Sequence, residues 1–181
     1  MRSNLTFRTI TDSNSMDFRD FWDLYESSFS LDTRRSLDSQ KSVMRNSTYH
    51  LFGASISGIF VGFLSTWKLP KLTFIEHFAV KNNLRGKGIG SNLLTIFLKN
   101  NKKLLVEVEP PKSELQMRRI KFYEKLGFAL NASEYVQPSY GEGKNPVQLL
   151  LMSYPKLLSQ NDFFQVKEQL YSTVYGVRLK I

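Results

Sequence analysis

Residues Arg85-Gly86-Lys87-Gly88-Ile89-Gly90 stand where an apolar run ending at Val80 gives way to an amphipathic run starting at Ile89. Alternate glycines in such a place let backbone N–H groups close on an anion with no Cβ in the way. The helix that follows turns its free N–H groups and the positive end of its dipole to the same point. Here the chain reads as a strand, a tight turn and a helix. The anion that suits such a turn is a phosphate.

A chain of 181 residues with 41% hydrophobic content, including 14 Phe and 8 Tyr, buries one substantial core, so a single domain is expected. The absence of cysteine excludes a disulfide framework, a thiolate metal site and a Cys nucleophile. His50 and His77 are far apart in sequence and do not make a zinc motif, so no metal is expected. Met1 to Thr6 hold no apolar run of signal-peptide length, and no stretch approaches the roughly 18 apolar residues of a membrane span. The expectation is a cytoplasmic protein with no membrane partner. The net charge of +9 is uneven: Lys81, Arg85, Lys87, Lys99, Lys102 and Lys103 fall between Lys81 and Val106, with no Asp or Glu among them. That field suits a polyanionic small molecule or nucleic acid, and charge alone does not choose. A solvated basic face is the bland alternative for the helix lysines.

Periodicity predicts a strand over Leu5–Ile10, a helix capped by Ser15 and carrying Phe18, Phe21, Trp22, Tyr25 and Phe29, and a short helix around 36–45. Tyr49–Ile56 and Ile59–Trp67 read as a hairpin turning at Ser57-Gly58. Leu72–Val80 and Leu104–Glu109 are strands that bracket the helix over Ile89–Leu98. Ser113-Glu114-Leu115-Gln116 fits a capping box for a helix ending at Gly127. Strands Phe128–Val136 and Val147–Met152 follow, separated by a turn-rich connection, and a last amphipathic segment spans about 161–172.

The glycine turn fails the P-loop pattern twice, with Lys81 where a glycine is required and Gly88 where Ser or Thr should follow the lysine. It fails the dinucleotide fingerprint at Leu93, although Glu107 lies near the distance of a ribose ligand. What it resembles is the coenzyme-A loop of the GNAT N-acetyltransferase superfamily, [QR]-x-x-G-x-[GA]. Arg85 to Gly90 satisfies every specified position. Ile75-Glu76-His77-Phe78-Ala79-Val80 resembles the family's fourth strand. Lys121-Phe122-Tyr123-Glu124-Lys125-Leu126-Gly127-Phe128 resembles its last helix and sixth strand.

The resemblance covers about residues 4–154. It implies a mixed, strongly twisted α/β sheet of about seven strands, split between the fourth and fifth, flanked by about four helices and followed here by a C-terminal helix. Residues 1–155 would be the GNAT domain and 156–181 a helical extension of it, whose role the family leaves open. Acetyl-CoA is the implied cosubstrate, held by main-chain groups of Phe78, Ala79 and Val80 and by Arg85, Gly86, Lys87, Gly88, Ile89, Gly90 and Ser91.

The implied reaction moves an acetyl group to a primary amine. It needs a base for the amine, an oxyanion donor and an acid for the thiolate. By the family motif Tyr123 would be the acid, and a main-chain N–H at or beside Ala79, where members have a bulge, the oxyanion donor. Alternation sets Glu76 in phase with Phe74, Phe78 and Val80, facing the cleft, and turns His77 away. Partial burial there would raise the Glu76 pKa and suit it to a base, with Glu107 and Glu109 as the other candidates. Each also has a plain reading, Tyr123 as a core aromatic and the glutamates as paired or solvated residues. Two positions depart from the family helix: Gln116 stands where an asparagine is frequent, and Arg119 where a small residue is.

Tyr25, Phe29 and Tyr140 are candidate walls of the acceptor pocket. The acceptor itself is open: a small-molecule amine, or a protein N-terminus or lysine. A homodimer is one possible assembly. Two other classes stay open, a coenzyme-binding sensor without turnover and a basic RNA-binding module. The stacking aromatics that the RNA module needs are missing between 81 and 96.

Overall fold

The computed structural model describes residues 5–177. Seven strands, β1 (Leu5–Thr9), β2 (Tyr49–Ile56), β3 (Ile59–Lys68), β4 (Thr73–Val80), β5 (Leu104–Val108), β6 (Ala129–Gln137) and β7 (Val147–Tyr154), form one sheet. Its order is β1-β2-β3-β4-β5-β7-β6, and within it β4–β5 is the parallel pair. The helices are α1 (Met16–Ser28), α2 (Leu37–Val43), α3 (Ile89–Asn100), α4 (Glu114–Lys125) and α5 (Gln160–Gln169). This is the mixed α/β architecture that the sequence predicts.

The local signals act as their chemistry requires. Ser57 and Gly58 both take positive φ, 51° and 80°, the two-residue turn that matches strand twist in the β2–β3 hairpin. Ser15, Ser36, Ser113 and Ser159 each cap a helix by accepting a main-chain N–H three residues on. Each such cap contributes about 1 kcal/mol. The capping box at Ser113 is half formed: Gln116 Oε1 accepts from Lys112 N rather than reaching back to Ser113.

Apolar residues on the two faces of the sheet build two main cores. One packs α1 and α5 against β3, β4 and β5 through Phe21, Tyr25, Phe63, Trp67, Phe74 and Leu105. The other packs α3 and α4 through Leu64, Ile75, Leu94, Leu104, Ile120 and Tyr123. After α5 the chain makes a π-helical turn, Leu170–Val174, whose Leu170, Tyr171 and Val174 are buried in the first core.

The sheet forks where the site forms. β4 pairs with β5 over Thr73–Ile75 and Leu104–Val106. Beyond that, β4 continues against β3 as far as Gly62↔Val80, while β5 continues against β7 as far as Val108↔Leu150. Glu76 and Glu107 are therefore the first residues past the last paired rung, one on each arm of the fork.

β4 also carries a bulge. Ser65 pairs with His77 and Thr66 with Ile75, which leaves Glu76 as the extra residue. An extra residue resets the alternation. Glu76 and His77 both lie on the α1 side, where His77 meets the rings of Tyr25 and Phe29, while Phe78 stacks on Phe122 of α4. The predicted phase, with Glu76 matching Phe78 and Val80 and His77 turned away, is corrected by this bulge. The bulge itself stands three residues before Ala79, where it was expected.

Candidate active site

The glycine turn follows β4 through a short 3-10 turn, Asn82–Leu84, and is tied back by Arg85 Nε, which donates to Val80 O at 3.1 Å. Gly86 and Gly88 sit at φ 74° and 76°, in left-handed backbone that a Cβ would strain. Gly88 is the N-cap of α3, and no side chain caps that helix end. The N–H groups of Ile89, Gly90 and Ser91, in the first turn, have no intrahelical acceptor. Lys87 is exposed beside them, and a Cβ on Gly90 would come within 3.6 Å of Phe78 and 3.7 Å of Phe122. Positive-φ glycines, free first-turn donors and nearby cations make a donor set that fits the pyrophosphate of coenzyme A.

At the fork the two carboxylates have opposite surroundings. Glu76 is wholly buried and lies 2.6 Å from the Arg35 guanidinium. It also accepts from Trp67 Nε1 at 2.9 Å and from the Tyr140 hydroxyl at 2.8 Å. Burial alone would raise its pKa, but Arg35, His77 and Trp67 outweigh that and hold it down to about 2. The expectation of a raised pKa at Glu76 is thereby corrected. Its lone pairs are committed, and it is a structural anion.

Among the described residues Glu107 makes no salt bridge. The hydroxyl of Tyr135 donates to its Oε1, and that of Tyr175 lies 2.8 Å from Oε1 and 3.0 Å from Oε2. Burial pushes its pKa up to about 7, against the two phenols, which favour the ionised form. A carboxyl poised near neutrality, with an oxygen not fully engaged, has the properties of a general base.

Both glutamates line one cavity of about 140 Å³, together with Ser28, Ser30, Thr33, His77 and Gln137 among others. Glu109 and Arg119 lie at the same cavity and pair with each other. His77 has little freedom there: Nε2 lies 2.9 Å from the Thr33 carbonyl, which fixes it as the donor, and Nδ1 faces Ser65 Oγ at 3.4 Å. Of the predicted walls, Phe29 lines the cavity. Tyr25 is fully buried, accepting from Arg35 N, and Tyr140 lies over the Arg35 guanidinium at 4.7 Å.

Tyr123 is not among the cavity residues. It packs against Phe122 and Phe128 on the α4 side, and burial raises its pKa to about 12, with Arg119 opposing, so the phenol keeps its proton at neutral pH. Phe78, Ala79 and Val80 run along the β4 arm from the cavity toward the glycine turn. The structure adds Arg35, Tyr135 and Tyr175, which the sequence reading missed. They come from a loop, an edge strand and the C-terminal segment, and no periodic signal joins them.

Comparison with known proteins agrees with this geometry. A family model described as an acetyltransferase (GNAT) domain matches residues 47–130. A solved GNAT-family chain from Bacteroides thetaiotaomicron, provisionally assigned as an acetyltransferase, superposes with a TM-score of 0.90 at 30% identity, covering 96% of this chain and 99% of that one. This mixed sheet forked over a glycine turn is the fold of an acetyltransferase family, and the chain belongs to that family, GNAT. YjbC of Bacillus subtilis (strain 168), whose name assigns it provisionally to the acetyltransferases, is 28% identical over 106 residues. That match takes in 56% of this chain and about half, 55%, of YjbC. A GNAT acetyltransferase from Elizabethkingia anophelis, solved with acetyl-CoA bound, shares the fold at a TM-score of 0.55 and 18% identity, over 83% of this chain and 97% of that one.

Proposed function

We propose that this protein is an N-acetyltransferase that moves the acetyl group of acetyl-CoA directly onto a small, hydrophilic primary amine, with Glu107 as the general base. The observation that carries the reading is the pair of carboxylates at the fork. Glu76 is locked to Arg35, whereas Glu107 is poised near neutrality on the same cavity.

Residues 85–91 and the main chain of Phe78, Ala79 and Val80 would hold the coenzyme; that a GNAT acetyltransferase of the same fold was solved with acetyl-CoA bound supports this cosubstrate. When bound, acetyl-CoA supplies an activated acyl carbon and a thiolate leaving group. Ionised Glu107 takes a proton from the acceptor nitrogen as its lone pair forms the C–N bond. Main-chain N–H groups of β4 offer hydrogen bonds to the acyl oxygen. Tyr123, protonated at neutral pH, gives its proton to the departing sulfur as the C–S bond breaks. Released protons return to solvent, so charge balances over the cycle.

The cavity supports a small acceptor. Its volume of about 140 Å³ is close to that of a cavity that takes up one benzene-sized molecule. Ser28, Ser30, Thr33 and Gln137 give it hydrogen-bonding walls, and Ser28 Oγ is buried without a partner. Arg119, the arginine on this cavity, is committed to Glu109, which disfavours acceptors bearing a carboxylate beside the amine. The test is acetyl-CoA-dependent thiol release across a panel of amines. Turnover is expected with small hydroxylated amines or diamines and not with free α-amino acids. Coenzyme binding without turnover on any amine would refute the reading.

A further inference from the structure

The C-terminal segment converges on the fork by several independent contacts. Tyr175 reaches both oxygens of Glu107, at 2.8 and 3.0 Å. The Val174 carbonyl accepts from Arg35 Nη2 at 3.2 Å, which ties the segment to the buried Arg35–Glu76 pair. Tyr171 donates to the Val136 carbonyl on β6, and its ring lies 6.0 Å from that of Tyr135, the other phenol on Glu107. The Tyr175 ring in turn meets that of Tyr140, 5.2 Å away, whose hydroxyl donates to Glu76.

The backbone is shaped for this. α5 does not simply end; it widens into a π-helical turn over Leu170–Val174, with Tyr175 N donating to Leu170 O and Val177 N to Tyr171 O. π-turns are frequent at functional sites, and widening the helix re-aims its side chains. Here the widened turn buries Leu170 and Val174 in the α1 core while Tyr175 faces Glu107.

We propose that this segment is part of the acetyl-transfer site, with Tyr175 as a positioning residue that holds the Glu107 carboxylate at the fork. The proposal rests on Glu107 being the base. Oε1 is shared by Tyr135 and Tyr175, whereas Oε2 receives a single, longer contact from Tyr175, so Oε2 keeps the lone pair that takes the acceptor's proton. The groups facing Glu107 are Tyr135 on β6, Tyr175, Glu76 on β4, Arg35 ahead of α2 and Tyr140 in the β6–β7 connection, with Glu109 and Arg119 on the same cavity. Of these, Tyr135 and Tyr175 bond Glu107 directly. Donation by a phenol favours the ionised carboxylate, so losing one donor raises the pH at which Glu107 loses its proton.

The experiment is a carbon-13 NMR titration of the Glu107 side-chain carboxyl in the 181-residue chain and in Tyr175→Phe, alongside kcat/KM against pH. Tyr175→Phe is expected to move both the titration midpoint and the acid limb of kcat/KM upward by about one pH unit. Should Tyr175→Phe fail to fold, replacing Tyr175 with a difluorotyrosine keeps the shape and strengthens the donor, and the midpoint is then expected to fall. A Glu107 midpoint unmoved by either change overturns the role given to Tyr175. The titration is read without turnover, so its outcome is independent of whether Glu107 is the base. That second question is answered by Glu107→Gln, whose unchanged activity would refute the base and leave the titration standing.

Discussion

Glu76 and Glu107 occupy equivalent places on the two arms of the fork, and their neighbours drive them apart, to about 2 and about 7. Pairs of titratable groups held apart in this way mark the division of labour in a site. Glu107→Gln is expected to lower kcat/KM at least about 100-fold while leaving acetyl-CoA affinity unchanged by calorimetry, because the glycine turn is untouched. Glu76→Gln acts on the fold instead. It strands the Arg35 charge in the core and costs about 3–5 kcal/mol, to be read by denaturant unfolding. The two also differ in sign with pH. The lowered Glu76 pKa contributes stability that is present above the ordinary 4.5 and lost as pH falls toward about 2. The raised Glu107 pKa does the reverse, costing stability as pH rises from 4.5 through about 7. The Tm of Glu107→Gln relative to wild type is therefore expected to climb across that interval, and a flat difference would contradict the burial argument.

The glycine turn and β4 are the elements on which the cosubstrate reading stands. At Gly88 a side chain meets left-handed backbone, and a carboxylate there opposes a pyrophosphate, so Gly88→Glu is expected to abolish coenzyme binding in calorimetry with the fold intact by circular dichroism. Gly62 holds β3 against the far end of β4: a Cβ there would lie 2.5 Å from the Ala79 carbonyl. Elements of this kind were legible in the sequence because their signals are local. The caps at Ser15 and Ser113, the Ser57-Gly58 turn and the order strand, glycine turn, helix all stand where periodicity and capping put them. The β4 bulge was not, since one extra residue shifts the phase of everything after it. Its one trace is two successive polar residues, Glu76-His77, inside an apolar run. The family's glycine and tyrosine motifs were legible too, whereas alternation names Glu76, Glu107 and Glu109 as candidate bases and favours Glu76 over Glu107. The proton affinity of Glu107 is raised by burial and opposed by Tyr135 and Tyr175, which lie 28 and 68 residues away in sequence.

Across the whole molecule, the site joins parts of the chain that share no local pattern. The fork supplies the carboxylates, the segment before α2 supplies Arg35, the β6–β7 connection supplies Tyr140, and the C-terminal turn supplies Tyr175. The Lys144 ammonium donates to the Arg34 carbonyl, and Asn145 N donates to the Asp32 carboxylate at 2.8 Å, so the α1–α2 loop and the β6–β7 connection are fastened to each other. The cavity of about 140 Å³ beside that α1–α2 loop, lined by Ser28, Ser30, Thr33 and Gln137, is in keeping with a small amine acceptor. The claim on which the account turns is that Glu107 accepts the proton during acetyl transfer. It is tested most directly by kcat/KM against pH for wild type and Glu107→Gln on the best amine of the panel. The account predicts an acid limb near pH 7 in the wild type that is lost in the variant, together with most of the rate. The same limb and the same rate in both proteins would contradict it.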